Sequence, residues 1–279
     1  MSILSKKDII ILYHAKCRDG FSAAWAAWRK FKGKVEYIGL EHHLSLPTGL
    51  KGKTLYFLDY APKEADMQKL LAENERVIVI DHHVSQEKET KMASEFVYDI
   101  QHSGAVLAWQ YFHPGKKVPK FLLHVEDADI WKFKVPGTRE ILAATENAPQ
   151  DFQTWDRLVC DVEDASKRKK YIEQGKAVLE YERALMKRIM EDAEHVTFEG
   201  YKARAVNTPV IISETGNAIV REMKVSLAIL WRKKGQQVIV SLRSDGKVDV
   251  SEIAKKYGGG GHKAAAGFSL EWGKPFPWK

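Results

Sequence analysis

The chain has 279 residues, 44% of them hydrophobic and 29% charged, with a net charge of +7. That composition excludes disordered, fibrous and membrane-embedded chains, and the length favours two domains over one. Two cysteines far apart, Cys17 and Cys160, exclude a disulfide framework and fit a reducing, cytoplasmic setting, while the positive balance accommodates an anionic ligand without requiring one.

The opening residues, MSILSKKDIIILYH, lack the apolar core and cleavage site of a secretory signal, and no apolar run approaches the ~20 residues of a membrane span. Residues 8–13 (DIIILY) predict a buried strand, followed by a loop carrying His14, Cys17 and Asp19. Residues 21–31 predict a helix whose Trp25 and Trp28 share one face as core packing. Residues 54–60 (TLYFLDY) predict a second strand ending in an acid, and Pro62 opens a helix to about residue 73. Residues 77–80 (VIVI) predict a third strand, buried on both faces, that runs straight into Asp81, His82 and His83. A strand at 95–98, a helix at 105–112 behind Ser103-Gly104, and a helix opened by Pro119 and running to 129 follow.

Strands alternating with helices at these lengths predict an α/β fold, a parallel β-sheet with helices on both faces. Residues 151–193 read as largely helical, with KRKK at 167–170 a solvated helix face. From 195 the texture changes to strands at 196–207, 224–232 and 237–243, short helices at 218–223 and 251–256, and then GGGGHK. The expected organisation is an α/β domain over 1–163, a charged helical connector over 164–194 and a smaller α/β domain over 195–279.

In an open parallel sheet, ligands bind beyond the carboxyl ends of the strands. Three strand ends here carry ionisable groups: His14, Cys17 and Asp19; then Asp59; then Asp81, His82 and His83. One acid after a strand is an ordinary cap or turn residue. Three in succession, two with histidine, predict a divalent-metal site whose donors suit Mn, Fe, Co or Zn and whose carboxylates can bridge two ions. In the second domain, four glycines at 258–261 let the backbone approach a ligand and expose N–H groups to an anion. His262 and Lys263 add donors, and Arg243, at a predicted strand end, can grip a terminal phosphate.

VIDHH with strand-end acids upstream, together with GGGGHKAAAGF near the C-terminus, resembles the DHH phosphoesterase superfamily with its DHH-associated domain, over nearly the whole chain. The resemblance implies metal ligands at His14, Asp19, Asp59, His82 and Asp129, holding two Mn ions, with Zn, Fe or Co as alternatives. It makes Asp59 the bridging acid, and His83 and Asp81 a catalytic pair in which Asp81 orients imidazole and His83 faces the phosphate. Arg243, Gly259, Gly260, Gly261 and His262 become substrate-binding residues. Asp129 with Phe133 fits the fourth motif, an acid followed four residues on by an aromatic; Asp127 with Trp131 has the same spacing. Cys17 stands where relatives place an aspartate, which weakens one metal site, selects Zn or Fe, or leaves a place for another group or water.

The implied activity is two-metal hydrolysis of phosphodiester bonds in short single-stranded oligonucleotides or small nucleotides. Alternatives are a cyclic-dinucleotide phosphodiesterase, a phosphoadenosine phosphatase, and a nucleic-acid binding protein with a decayed site. A site shared by two domains implies a cleft favouring short or single-stranded substrates over duplex. The sequence leaves the oligomeric state open, a dimer included.

Overall fold

The computed structural model describes residues 8–41 and 45–279. Residues 1–7, part of the segment read above as lacking a secretory signal, lie outside the described residues. The chain forms two compact units, 1–178 and 179–279, which divide inside the helix expected to be the connector.

The first unit is a five-stranded parallel sheet of β1 (Ile9–His14), β2 (Glu36–Leu40), β3 (Thr54–Leu58), β4 (Arg76–Asp81) and β5 (Glu95–Tyr98), in the order β2-β1-β3-β4-β5. Helix α1 (Arg18–Phe31) joins β1 to β2, α2 (Glu64–Glu73) joins β3 to β4, and α3 (Glu87–Lys91) leads into β5. Then come α4 (Gly104–Phe112), α5 (Lys120–Asp129), α6 (Thr138–Ala144), α7 (Phe152–Glu163) and α8 (Ala165–Glu191).

The continuous apolar strands are split by the two-residue period of the pleat. Ile11, Tyr56, Leu58, Ile78 and Ile80 pack with α1 and α4, while Ile10, Leu12, Leu55, Phe57, Val77 and Val79 pack with Met67 and Leu70 of α2. Helices therefore cover both faces, as the sequence predicts. Four alanines of α1, at 23, 24, 26 and 27, are fully buried and allow α4 to come close; Trp25 stacks on Trp109 with centroids 5.6 Å apart. The order of strands places β1 beside β3, yet the chain leaves them in opposite directions. That reversal opens a crevice at their carboxyl ends.

The strand β2 and the helices α3 and α6 escape sequence reading. β2 (EYIGL) is a half-exposed edge strand without an apolar run, and the two helices are five and seven residues long.

The second unit is a six-stranded mixed sheet. Its elements are β6 (Glu194–Phe198), β7 (Tyr201–Asn207), α9 (Ile212–Glu222), β8 (Leu227–Lys234), β9 (Gln237–Ser244), α10 (Val250–Lys256), β10 (Gly260–His262) and β11 (Ala265–Glu271), with strand order β10-β11-β9-β8-β7-β6. β7 and β8 run parallel and the other neighbours antiparallel. Where one strand was expected at 196–207 there are two, joined by a two-residue turn in which Glu199 and Gly200 have φ of 50° and 83°. Two positive φ values are the mark of a hairpin turn, but Glu-Gly lacks the Asn-Gly or Asp-Gly signature that announces one. The helix expected at 218–223 is the end of the longer α9, and part of the glycine run is β-strand rather than loop. No helix among the described residues is long and apolar enough to cross a membrane.

Candidate metal centre

The side chains at the carboxyl edge of the first sheet are placed by a few close backbone contacts. His14 ends β1, and the chain turns through Lys16 (φ 56°) to Cys17, which immediately precedes α1. A Cβ on Gly20 would lie 2.2 Å from the His14 carbonyl oxygen, so only glycine lets the first turn of α1 press against His14. Asp19, in that same turn, is 1% exposed and accepts a 3.0 Å hydrogen bond from the Ala105 N–H at the start of α4.

Asp59 directly follows β3 with a φ of 54°, and its N–H donates to the Ile80 carbonyl at 2.9 Å. A left-handed conformation outside glycine costs on the order of 1–2 kcal/mol, and the fold holds it at a residue only 1% exposed. Gly104 completes the arrangement: a Cβ there would be 2.7 Å from the Asp59 Cβ and 2.9 Å from Asp19 Oδ2. Sequence reading passes over Gly104 because these partners lie far away along the chain.

Asp81 is fully buried. Its Oδ1 accepts from the His82 N–H (2.8 Å) and pairs with His83 Nδ1 (2.7 Å), and its Oδ2 lies 3.5 Å from the Thr90 hydroxyl. Its carboxylate thus ties down the turn and orients the His83 ring.

His82 Nε2 lies 3.3 Å from Asp59 Oδ1, 3.4 Å from Asp129 Oδ2 and 3.8 Å from Asp19 Oδ2, while His14 Nδ1 is 3.2 Å from Asp59 Oδ2. Yet Asp19 Oδ2, Asp59 Oδ1 and His82 Nε2 are buried with no hydrogen-bond partner of acceptable geometry. Atoms that approach this closely without bonding one another are facing a common point. Ligands on one ion with bonds near 2.0–2.2 Å sit about 3.0–3.5 Å apart, so the donor set fits a divalent cation. Three overlapping triplets have donor atoms mutually within 4.8 Å: His14, Cys17 and Asp59; Asp59, His82 and His83; Asp19, His82 and Asp129. Asp59 is common to the first two and His82 to the last two. Burial grades across the site, from Asp19 and Asp59 at 1% to the side chain of Asp129 at 27%.

The electrostatics describe a site short of positive charge. Burial, with Asp129 and Asp59 nearby, pushes the Asp19 carboxyl well above the usual range. Burial and the Asp59 charge raise Asp129 to about 6. Burial, then the Asp59 and Asp19 charges, push the Cys17 thiol up as well. Burial also opposes the charge of Asp59, but His14, His82 and His83 outweigh it and hold that carboxyl below its ordinary value. Burial would lower His82, but the carboxylates of Asp59, Asp19 and Asp129 carry it up to about 9. His83 is raised in the same way, burial being outweighed by Asp81 and Asp59. A bound cation needs His82 neutral and the acids ionised, so it would replace the protons the cluster otherwise gathers.

The two acids of the fourth-motif region do different things. Asp127 accepts from the N–H groups of Lys134 (2.7 Å) and Val135 (3.0 Å) and from the Thr138 hydroxyl (2.7 Å), folding the following loop back on α5. Asp129 joins the His82 cluster. Two residues apart on a helix is about 200° of rotation, so one sequence position cannot serve both roles. Phe133 packs its ring under the Arg139 guanidinium at 3.7 Å.

In the second unit, register brings the expected substrate residues onto one face. Arg243 of β9 pairs with Ala265 of β11, which pairs with His262 of β10, so Arg243 and His262 flank a small residue about 9–10 Å apart. Arg243 already donates to the Ser213 hydroxyl and the Leu242 carbonyl, both at 2.8 Å, over Gly216. Gly259 and Gly261 are required by packing: a Cβ would lie 2.1 Å from the Gly267 oxygen in one case and 2.5 Å from the Ala266 Cα in the other. Gly260 has nothing within 4 Å of such a Cβ and no positive φ, so the fold itself does not require a glycine there.

Known proteins match both units. The DHHA1 domain matches residues 201–274. An uncharacterised protein of Acanthamoeba polyphaga mimivirus is 29% identical over 96% of this chain and 69% of its own length. Among solved structures, the DHH domain of a protein assigned to a family of ribosomal proteins shares the fold with a TM-score of 0.62 at 14% identity, covering 95% of this chain and 82% of that one. A pGpG-specific phosphodiesterase from Vibrio cholerae does so with a TM-score of 0.53 at 12% identity, covering 95% and 94%. The second unit thus carries a DHHA1 domain, and the chain, with its strand-end VIDHH cluster, shares its fold with a known DHH domain.

Proposed function

We propose that the chain is a cytoplasmic, divalent-metal-dependent phosphoesterase that hydrolyses phosphodiester bonds of short single-stranded oligonucleotides or small nucleotides. The observation that carries this reading is the convergence of Asp19 Oδ2, Asp59 Oδ1 and His82 Nε2, buried and unbonded, at the carboxyl edge of a parallel sheet. His14, Asp19, Asp59, His82 and Asp129 would hold a pair of ions, with Mn suited to the nitrogen and oxygen donors. When bound, the ions supply Lewis acidity toward the phosphoryl oxygens and a water of lowered pKa.

The protein's own part is positioning and charge. Asp81 holds His83 Nδ1 at 2.7 Å, which aims the other ring nitrogen as a donor toward a non-bridging phosphoryl oxygen. Without metal, the burial of His83 is outweighed by the Asp81 and Asp59 carboxylates, which raise its pKa. The second unit binds the anionic end of the substrate through Arg243 and His262, with Gly260 leaving its backbone open to close approach. The fold shared with a pGpG-specific phosphodiesterase supports a linear dinucleotide as the first substrate to try.

The test is to strip the protein with chelator, reload it with Mn, Co, Zn or Mg, and offer pGpG and other dinucleotides, phosphoadenosine phosphate, cyclic dinucleotides, polyphosphate and duplex DNA. The expected result is metal-dependent release of mononucleotides from linear dinucleotides, with duplex resistant. Binding without turnover under every metal would replace this reading with a nucleic-acid binding protein.

A further inference from the structure

The donor sets on the two sides of Asp59 are chemically unequal. On one side Asp19, His82 and Asp129 offer only nitrogen and oxygen. On the other, the Cys17 sulfur, a His14 ring nitrogen and an Asp59 oxygen lie within 4.8 Å of one another. The sulfur does not stand alone: Asp59 is 1% exposed, and its Oδ2 turns to this side, 3.2 Å from His14 Nδ1, while its Oδ1 faces His82 at 3.3 Å. The fold also presses Cys17 into place. Gly20 lets the start of α1 lie against His14, and Cys17 directly precedes that 14-residue helix. Burial and the Asp59 and Asp19 charges keep its thiol protonated without metal, and those acids are the ones a cation would neutralise.

We propose that Cys17 is a thiolate ligand, and that the chain therefore carries two unlike metal sites: a sulfur-containing site at His14, Cys17 and Asp59 for Zn, Co or Fe(II), beside a nitrogen–oxygen site at Asp19, His82 and Asp129 for Mn or Mg. Soft thiolate selects the former group of ions, and carboxylate with imidazole accommodates the latter. On coordination the Cys17 S–H bond breaks, its proton passes to solvent, and the sulfur keeps its electron pair and oxidation state. The proposal rests on the metal-centre reading above and adds a division of labour to it.

The test uses the chelator-stripped full chain and Co(II), whose bonds to thiolate produce a near-ultraviolet charge-transfer band that nitrogen and oxygen ligands do not. The band is expected in the wild type and in Cys160→Ser, and absent in Cys17→Ser. Zn affinity should fall by at least about 100-fold in Cys17→Ser, the upper end of what losing even an outer-shell partner costs. Cys17→Asp should restore a second ion but exchange Zn preference for Mn. A second measurement protects against misfolding of the Cys17 variant: X-ray absorption at the Zn edge of loaded Cys160→Ser protein should show a sulfur neighbour at about 2.3 Å. If two Co ions bind per chain with no charge-transfer band, and the Zn edge shows no sulfur neighbour, the thiolate ligand is overturned and the metal centre stands. If no Co binds at all, both fall.

Discussion

The two units handle polar groups in opposite ways at their candidate sites. In the first, donors from Asp19, Asp59 and His82 are buried close together and left unbonded. In the second, Arg243 is tied to Ser213 and Leu242, and His262 lies exposed on the face of a sheet. Burying unpaired charge is expensive, and it persists where something of opposite charge is meant to complete it. An exposed anion-binding face needs no such tension, since water serves until the ligand arrives. Chemistry is thus expected from the first unit and selection from the second.

Substitutions at six positions would break or sharpen that division. Asp59→Asn should have the largest effect, lowering the turnover of Mn-reloaded protein by at least about 10²–10³-fold, which is the cost of losing a single transition-state donor. Wild-type rates in this variant would remove the first unit from the chemistry. Next comes the pair on α5. Asp129→Asn should abolish tight binding of an ion by titration calorimetry with little loss of stability. Asp127→Ala should do the reverse, costing at least about 1–3 kcal/mol by orphaning donors from Lys134, Val135 and Thr138.

Within the glycine run the expected effects are smaller and split. Gly261→Ala, at φ 144° and against Ala266, should destabilise the second unit by more than about 1 kcal/mol in thermal unfolding. Gly260→Ala should leave unfolding unchanged and raise KM with little change in kcat. If both variants behaved alike, the glycines would be structural only.

The mildest effect is a pH dependence from His124, on the same helix as Asp129. His124 is buried and paired with the Thr138 hydroxyl at 2.9 Å; that hydroxyl donates to Asp127, so His124 Nδ1 carries the proton. Burial holds the His124 pKa below its ordinary value. Below about pH 6.5 the unfolded chain therefore takes up a proton that the folded chain resists, and stability falls as pH falls. The midpoint of unfolding of metal-free protein should drop less steeply between about pH 7 and 5 in His124→Gln than in the wild type. Parallel profiles would show that His124 is not responsible.

Much of the first unit is legible because its signals are local. VIVIDHH announces a strand buried on both faces and the polar cluster at its end, and the same holds for TLYFLDY. The half-exposed β2 and the Glu-Gly hairpin between β6 and β7 carry local signals too weak to announce them. Gly104 is not legible at all, since its role is to leave room for two carboxylates from distant parts of the chain. The glycine run reads correctly as special but for mixed reasons: Gly259 and Gly261 answer to strand packing, and Gly260 does not.

Composition and periodicity were enough to name the α/β class and the strands whose ends carry ionisable groups, and the VIDHH and GGGGHKAAAGF stretches carried the family resemblance, because each of these is written in short stretches of neighbouring residues. Only the tertiary structure decided that Asp129 rather than Asp127 faces His82, that Cys17 lies beside His14 and Asp59, and that Arg243 and His262 share a face. Those are distances between residues far apart in the chain, and packing and strand register set them.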